Sequence, residues 1–225
     1  MNLVLPHPRT WPIWDVVFPP LCAVCGEALE QPAILFCARC WTNAPVADLR
    51  DLHKLYHIDR TACGYRFAAM DVVKASVHAL KYEGVKPLAA IMAQKLVSRL
   101  PIRFVQADLT WVEVPLHWRR HLTRGFNQSR LLACELARAT GHDMPVSLLR
   151  RSRHTPTQTA RNFRDRSANV KGAFELRRGV PIPKAVLLID DVITTGATVN
   201  ECARTLKDAG VEWVGALSFA LAHQS

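Results

Sequence analysis

The sequence predicts an α/β protein with a mostly parallel sheet and flanking helices, preceded by a small four-cysteine module. Helical and strand-like segments alternate from about residue 70 onward in the 225-residue chain, which is typical of parallel strands joined by helices. The segment "KAVLLIDD" at 184–191 is apolar on both faces, as a buried parallel strand must be. Two CxxC pairs near the N-terminus indicate the module.

Two helices are predicted before the first strand of the α/β region. In "MDVVKASVHALKYEG" at 70–84 the apolar residues recur near helical spacing, and the pattern stops at a glycine. A second helix is predicted over 86–99 on the same grounds. "ADLTWVEVP" at 107–115 is rich in strand-forming residues and ends at a proline, which indicates a short strand.

The remaining segments continue the alternation. "NQSRLLACELARAT" at 127–140 is amphipathic and is followed by a glycine, and "VSLLRR" at 146–151 indicates a short strand. The Arg-rich stretch 151–169 has no periodicity, and irregular chain of that length inside a compact domain is usually a functional loop. "NECARTLKDAG" at 200–210 predicts an amphipathic helix, and "VEWVGALSFAL" at 211–221 predicts the final strand.

The predicted domain limits follow these changes in texture. They are an N-terminal lead at 1–20, a cysteine module at 21–47, a connector at 48–69 and an α/β domain at 70–225. Prolines interrupt the lead and no small-residue cleavage site follows, so it does not resemble a signal peptide. Because no run of about 18 apolar residues occurs, the sequence predicts no membrane span and a cytoplasmic protein.

The cysteine module has the spacing of a metal site. Cys22, Cys25, Cys37 and Cys40 form a CxxC pair, eleven intervening residues and a second CxxC pair. Two such pairs can place four thiolates around one Zn²⁺ ion in a tetrahedron without an open position, which is the geometry of a structural site. Two disulfides are the alternative, but a chain without a secretory signal favours free thiols. The sequence therefore predicts structural zinc.

The positive charge is confined to one segment. The chain carries a formal net charge of +10, and residues 117 to 178 hold fourteen Arg and Lys against four acidic residues, whereas the remainder holds fifteen of each sign. Most of these cations are arginines, whose guanidinium group can grip two phosphate oxygens at once. The segment predicts a polyanionic partner, and a solvated basic surface is the alternative.

Two adjacent acids and a hydroxyl-rich loop follow the buried strand in "LLIDDVITTGATV". The loop residues Thr194 to Thr198 are small, so their backbone amides can approach an anion, and the helix that follows adds its positive end. Asp190 and Asp191 would repel a bare phosphate and need hydroxyls or a divalent cation to face. A 5-phosphorylated ribose offers both, whereas an N-capping acid before a Thr-rich helix start is the alternative.

These residues resemble known families. "VLLIDDVITTGAT" is similar to the signature of type I phosphoribosyltransferases, which bind 5-phosphoribosyl 1-diphosphate (PRPP). Together with the cysteine tetrad, the segments "LKYEG", "VPLHWRRHLTRGFNQS" and "RSANVKGAF" resemble ComF family proteins, which are associated with DNA uptake and natural transformation. The resemblance spans residues 20–222 and implies a type I phosphoribosyltransferase-like sheet with a small N-terminal zinc module held by four cysteines.

The resemblance also implies the binding residues. The ribose hydroxyls would contact the two aspartates, and the 5-phosphate would contact Thr194, Thr195, Gly196, Ala197 and Thr198, with Mg²⁺ bound alongside. The diphosphate loop would follow the strand in "VEVPLHW", and its candidates are Leu116, His117, Arg119, Arg120 and Arg124. The stretch 151–169 would close over the ligand. No catalytic residue is assigned.

Two functions remain open from the sequence. The first is a cytoplasmic DNA-uptake factor that binds PRPP and single-stranded DNA, with a DNA-uptake helicase and other competence proteins as partners. Its candidate DNA contacts are Arg119, Arg120, Arg124, Arg153, Arg161, Arg164 and Arg166. The second is an active phosphoribosyltransferase of nucleotide salvage or purine synthesis, for which no segment specifies an acceptor. Fourteen basic residues exceed what one diphosphate needs, which favours the first.

Overall fold

The computed structural model has a parallel four-stranded sheet at its centre. Its strands in chain order are β1 (Arg60–Phe67), β2 (Thr110–Glu113), β5 (Ala185–Ile193) and β6 (Trp213–Ala222), and their spatial order is β1-β6-β5-β2. The strands β3 (Leu149–Arg151) and β4 (Phe174–Leu176) form a separate antiparallel pair. The structure describes residues 19–29, 35–49, 55–68, 71–100, 104, 108–116, 122–152 and 170–222.

Helices cover both faces of the sheet. They are α1 (Ala38–Thr42), α2 (Val72–Tyr82), α3 (Leu88–Val97), α4 (Gln128–Thr140) and α5 (Ala197–Asp208). One buried cluster joins α2, α3 and α4 to one face of the sheet, and a second joins α5, β3 and β4 to the other face. This arrangement confirms the predicted α/β class with a mostly parallel sheet. None of the helices described has the length and apolar character needed to cross a bilayer.

Local signals explain where α4 and α5 begin and end. The side chain of Asn127 caps α4 by accepting a hydrogen bond from the amide of Ser129 at 3.0 Å, and Gly141 ends the helix in the left-handed conformation with φ 70°. Both limits agree with the prediction for 127–140. Helix α5 begins at Ala197, three residues before the predicted start, because the small residues after β5 already form its first turn.

Strand β1 lies within residues 48–69, where the sequence analysis predicted a connector and missed a strand. It pairs in parallel with β6, from Arg60 opposite Gly215 to Phe67 opposite Ala222. The prediction failed because β1 is an edge strand with exposed arginines, so its apolar alternation is weak. Its register comes from a partner about 150 residues later in the chain. The domain limits themselves stay a prediction.

The cysteine module packs against the outer edge of β1. The backbone of 45–47 pairs with this edge, since the amide of Arg66 donates to the carbonyl of Pro45 at 2.8 Å and Val46 bridges Tyr65. The Trp41 ring lies 6.1 Å from the Tyr65 ring and 6.2 Å from the Phe219 ring. The module therefore covers an otherwise free sheet edge and shares its core with the sheet.

Candidate functional site

The four cysteines of the module come together as the sequence predicts. Their sulfurs all lie within 4.8 Å of one another, with 3.8 Å between Cys22 and Cys40 and 3.6 Å between Cys25 and Cys37. A tetrahedral ion with bonds of about 2.3 Å to four thiolates sets the sulfurs about 3.8 Å apart. All four cysteines are free thiols that converge on one point, which favours a metal site over the disulfide alternative. The cluster can bind a structural metal ion such as zinc.

The chain around the cysteines prepares the thiols for a cation. The amide of Cys37 donates to the sulfur of Cys22, and the amide of Cys40 donates to that of Cys37, both at 3.4 Å. Burial raises the pKa of Cys22, but backbone amides, led by that of Cys37, outweigh it and lower the pKa to about 6. Burial and the neighbouring thiols raise the pKa of Cys40. The backbone amides thus favour the thiolate form of Cys22, and a bound cation would favour the thiolate forms of the other cysteines.

The two adjacent carboxylates at the end of β5 have different surroundings. The Asp191 side chain is 4% exposed, and its Oδ2 lies 2.5 Å from Nζ of Lys81 at the end of α2. Asp190 is half-buried, and its Oδ1 accepts hydrogen bonds from Oγ of Ser129 at 2.7 Å and from the amide of Asp191 at 2.9 Å. Asp190 therefore remains accessible to a ligand, whereas Asp191 is already paired.

Asp190 holds a proton more tightly than an ordinary aspartate. Burial, followed by the negative charge of Asp191, raises the pKa of Asp190 to about 8, against the opposing effects of Ser129 and Lys81. At neutral pH the ligand-free carboxyl is thus largely protonated. A group that stabilises its ionised form, such as a hydroxyl donor or a cation, would release that proton on binding.

The loop after β5 and the start of α5 form a small depression. It is lined by Asp190, Val192, Ile193, Thr194, Gly196, Thr198 and Val199. Gly196 has φ 76°, a conformation that favours glycine, and it places the next amides at the positive end of α5. Thr194 is exposed and Ala197 and Thr198 are half-buried, whereas Thr195 is buried and its Oγ1 accepts from the Ala197 amide at 3.3 Å. Four of the seven predicted residues thus line this depression.

A segment of the predicted connector packs over this loop, which the sequence analysis did not predict. The methyl groups of Leu55 lie so near Gly196 that a Cβ there would come within 2.4 Å of them. The amide of His57 donates to Oδ1 of Asn200 on α5 at 3.1 Å. No local pattern marks this contact, because it joins residues more than 140 positions apart.

The predicted diphosphate loop follows β2, the neighbour of β5. Glu113 pairs with Ile189, so the carboxyl ends of both strands meet at one edge of the sheet, where ligands bind in open α/β sheets. Leu116 is half-buried at this end, and the guanidinium carbon of Arg124 lies 5.1 Å from the centroid of the Tyr82 ring. Several predicted residues lie outside the described part of the chain, namely His117, Arg119, Arg120, Arg153, Arg161, Arg164 and Arg166.

Lys81 is a site residue that the sequence analysis missed. It lies in "LKYEG", a segment that contributed to the resemblance without a role for its lysine. Its side chain is 17% exposed and reaches Asp191 from a helix more than 100 positions earlier in the chain. The pair leaves the site with one net negative charge instead of two when both aspartates are ionised. Lys81 therefore lowers the repulsion that an anionic ligand would meet.

Replacing Lys81 with methionine should lower the free energy of unfolding by about 1–3 kcal/mol, because the buried Asp191 carboxylate loses its counter-ion. The loss is smaller than for a fully buried ion pair, because Lys81 retains some contact with water. Thermal unfolding would measure the change. Lys81→Arg is the control and should lose much less, and adding Asp191→Asn to Lys81→Met should recover part of the loss. Equal stability of wild type and Lys81→Met would contradict the pairing.

Comparison with known proteins places these features in a family. Residues 122–225 match the phosphoribosyl transferase domain family. The chain is 33% identical over 202 residues to the DNA utilization protein YhgH of Salmonella typhimurium. The aligned residues make up 86% of this chain and 87% of YhgH. The chain belongs to the ComF family. It is 29% identical over 198 residues to Competence protein F of Haemophilus influenzae, and the alignment covers 86% of this chain and 81% of that protein. Competence protein ComFC of Streptococcus pneumoniae is 28% identical over 200 residues, with 88% and 86% covered.

Family membership confirms the expected fold class, with a phosphoribosyltransferase domain behind a four-cysteine module. In this ComF family chain the domain match includes α4, β5, α5 and β6, and therefore both aspartates and the loop 194–198. The cysteine module, β1 and Lys81 precede the matched residues. Alignment with the full-length relatives extends the similarity over most of the chain.

Proposed function

We propose that this chain binds PRPP at the carboxyl end of β5 and acts in DNA uptake, where it contacts single-stranded DNA. The observation that carries the proposal is the depression in which a half-buried carboxyl, Asp190, faces a loop of small and hydroxyl-bearing residues at a helix start. One ligand that carries both hydroxyls and a phosphate suits this arrangement, because the hydroxyls can face the carboxyl and the phosphate can face the loop. The names of the relatives, competence protein and DNA utilization protein, support the DNA-uptake role.

In the proposed complex the 5-phosphate accepts hydrogen bonds from the loop amides and from the hydroxyls of Thr194 and Thr198. A ribose hydroxyl donates to Asp190, while Asp191, held by Lys81, orients the end of β5. Mg²⁺ usually binds to one or two carboxylates together with phosphate oxygens and water, so a single accessible carboxylate suits it. Bound there, Mg²⁺ would neutralise charge on the diphosphate.

The metal of the cysteine module is proposed to be Zn²⁺, because four thiolates at tetrahedral spacing suit a soft, closed site. We also propose the four-part division of the chain at residues 20, 47 and 69, in which the third part contributes strand β1 to the sheet. A cytoplasmic location fits four free thiols in a metal cluster.

The proposed DNA contact rests on the positive charge of residues 117 to 178. A DNA strand passing the candidate PRPP site would meet this segment, since the segment begins shortly after β2, whose carboxyl end lies beside β5. A DNA-uptake helicase and other competence proteins are the proposed protein partners. No docking surface for them is assigned.

An active phosphoribosyltransferase of nucleotide salvage or purine synthesis is the second candidate, favoured by the domain match alone. The two candidates separate when the protein is incubated with PRPP, Mg²⁺ and either single-stranded DNA or a panel of nucleobases. Release of diphosphate with one base favours the transferase. Binding of DNA and PRPP without release favours the uptake factor, and failure to bind PRPP contradicts both.

Reversing the charge of Arg119, Arg120 and Arg124 to Glu should weaken single-stranded DNA binding by at least about tenfold. Each phosphate contact contributes about −0.7 to the slope of log affinity against log salt concentration on single strands. The triple variant should therefore reduce the slope by about 2, as measured by fluorescence anisotropy across a salt series.

The matched control reverses Arg66, Lys74 and Lys184, three exposed cations outside the basic segment, and changes the net charge equally. If both triple variants lose the same affinity, net charge alone governs binding, and the proposed DNA site is wrong.

A further inference from the structure

The start of α4 lies between the ends of the two strands that border the candidate PRPP site. The side chain of Asn127, which precedes α4, donates through Nδ2 to the carbonyl oxygen of Val114 at 3.1 Å. Two residues later, Oγ of Ser129 donates to Oδ1 of Asp190 at 2.7 Å. Because the amide of Val114 donates to the carbonyl of Ile189 at 2.9 Å, these bonds join the end of β2, the start of α4 and the end of β5 in one ring. We call Asn127 and Ser129 the α4 clamp.

The side chains of the α4 clamp form bonds that the helix itself does not need. A helix cap requires only the side-chain oxygen of Asn127, which accepts from the Ser129 amide at 3.0 Å, so the bond from Nδ2 to Val114 is additional. Hydroxyls inside helices commonly bond back to a carbonyl of their own helix, as do those of Ser76, Thr140 and Thr205. The Ser129 hydroxyl instead reaches a carboxyl 61 positions later in the chain.

The α4 clamp determines which oxygen of Asp190 faces a ligand. Oδ1 accepts from the Ser129 hydroxyl and from the amide of Asp191, whereas Oδ2 accepts no hydrogen bond from the residues that the structure describes. Ser129 is only 2% exposed, so water does not compete for its hydroxyl. Asp190 lines the depression after β5, and its carboxyl is thus held by one oxygen with the other left for a ligand hydroxyl.

The other half of the α4 clamp acts on the start of the proposed diphosphate loop. The carbonyl that Asn127 holds belongs to Val114, two residues before Leu116. PRPP would span both strand ends, because its ribose would face Asp190 and its diphosphate would face the loop after β2. A hydrogen-bonded ring that holds both ends in place lowers the cost of ordering these groups when the ligand binds.

We infer that Asn127 and Ser129 are positioning residues that fix the Asp190 carboxyl relative to the end of β2, and that part of the preference for PRPP over ribose 5-phosphate comes from this clamp. Ribose 5-phosphate lacks the diphosphate and reaches only the end of β5, whereas PRPP engages both strand ends. Neither side chain of the clamp needs to touch the ligand. The inference rests on the proposed function for its ligand and adds the residues through which the two halves of the site act together.

Calorimetry with PRPP and with ribose 5-phosphate, each with Mg²⁺, tests the two halves of the clamp separately. Ser129→Ala should weaken binding of both ligands roughly tenfold or more, the scale of one hydrogen bond to a charged group, because Asp190 loses its orientation. Asn127→Ser keeps a capping oxygen but lacks the donor to Val114. It should weaken PRPP binding roughly three- to tenfold, the scale of one neutral hydrogen bond, and leave ribose 5-phosphate binding unchanged.

A double-mutant cycle separates positioning from a general effect on stability. Ser129→Ala should have no further effect on PRPP affinity when it is added to Asp190→Ala, because no carboxyl remains to be positioned. Thr140→Ala is the matched control, since it removes a hydroxyl of the same helix that bonds only to α4 itself, and it should keep full PRPP affinity. Thermal unfolding establishes that each variant is folded at the temperature of the binding measurement.

The outcomes distinguish the α4 clamp from the proposed function. Failure of the wild type to bind PRPP would contradict the proposed function, and the inference would fall with it. If the wild type binds PRPP, then unchanged affinity in Ser129→Ala, additive losses from Ser129→Ala and Asp190→Ala, or equal losses for both ligands in Asn127→Ser would overturn the clamp alone.

Discussion

Replacing both Asp190 and Asp191 with alanine is expected to abolish PRPP binding, with affinity reduced roughly 100-fold or more. A hydrogen bond from the ribose to the charged Asp190 contributes about 1.5–3 kcal/mol, and loss of the Mg²⁺ ligand adds to this. Removal of Asp191 also frees Lys81, which would reorganise the end of β5. Calorimetry with PRPP and Mg²⁺ measures the loss. The metal content should be unchanged, because the cysteine module packs at the outer edge of β1, and β1 and β6 separate it from the aspartates on β5.

The single variants should separate loss of binding from loss of stability. Because the pKa of Asp190 is raised from 3.8 to about 8, the folded protein keeps a proton that the unfolded chain releases above about pH 4. Stability therefore falls as pH rises from about 4 to 8 and is level above that range. Asp190→Asn cannot ionise and still accepts from Ser129, so at about pH 8 it should unfold at a higher temperature than the wild type.

Asp191→Asn should do the opposite, since it leaves the partly buried Lys81 without its counter-ion and lowers the unfolding temperature. Both single variants should bind PRPP, but less tightly than the wild type does. A more stable Asp190→Asn protein with weaker binding would show that Asp190 serves the ligand at a cost in stability. Retained PRPP binding in the double alanine variant would contradict the assignment of this site.

The candidate site could be predicted from the sequence where its residues are consecutive. The segment "LLIDDVITTGATV" is one local unit that contains a strand, the two aspartates, a loop and the start of a helix. Each of these parts has a recognisable composition. The cysteine tetrad is equally local, because its spacing alone restricts the geometry. The difference between Asp190 and Asp191 was not predictable, since it depends on Ser129 and Lys81 from two distant helices.

The contacts that the sequence missed join distant segments. Strand β1 depends on pairing with β6, and Leu55, five residues before β1, packs against Gly196 more than 140 positions later in the chain. Edge strands with exposed arginines carry a weak pattern, so propensity could not reveal β1. These missed contacts also link the cysteine module to the phosphate loop through one continuous segment, which bears on the effect of removing the metal.

Removing the metal is expected to unfold the cysteine module and to expose the edge of β1. Structural zinc in comparable sites has an apparent binding free energy on the order of 10 kcal/mol, and a module this small has little other stabilisation. Cys37→Ser combined with Cys40→Ser should lose the bound metal and lower the unfolding temperature of the whole protein. The Trp41 ring, which packs on Tyr65 and Phe219, should become accessible to water.

The effect should extend along the chain to the PRPP site. Without the module, residues 45–47 lose their anchor on β1, and the chain that leads on to Leu55 loses an attachment on that side. Hydrogen exchange should therefore increase in β1, and PRPP affinity should fall, although less than in the double aspartate variant because Asp190 and its loop remain. Cys134→Ser, a half-buried cysteine outside the cluster, is the control and should keep metal, stability and affinity. Full PRPP affinity in the metal-free protein would show that the module and the site are independent.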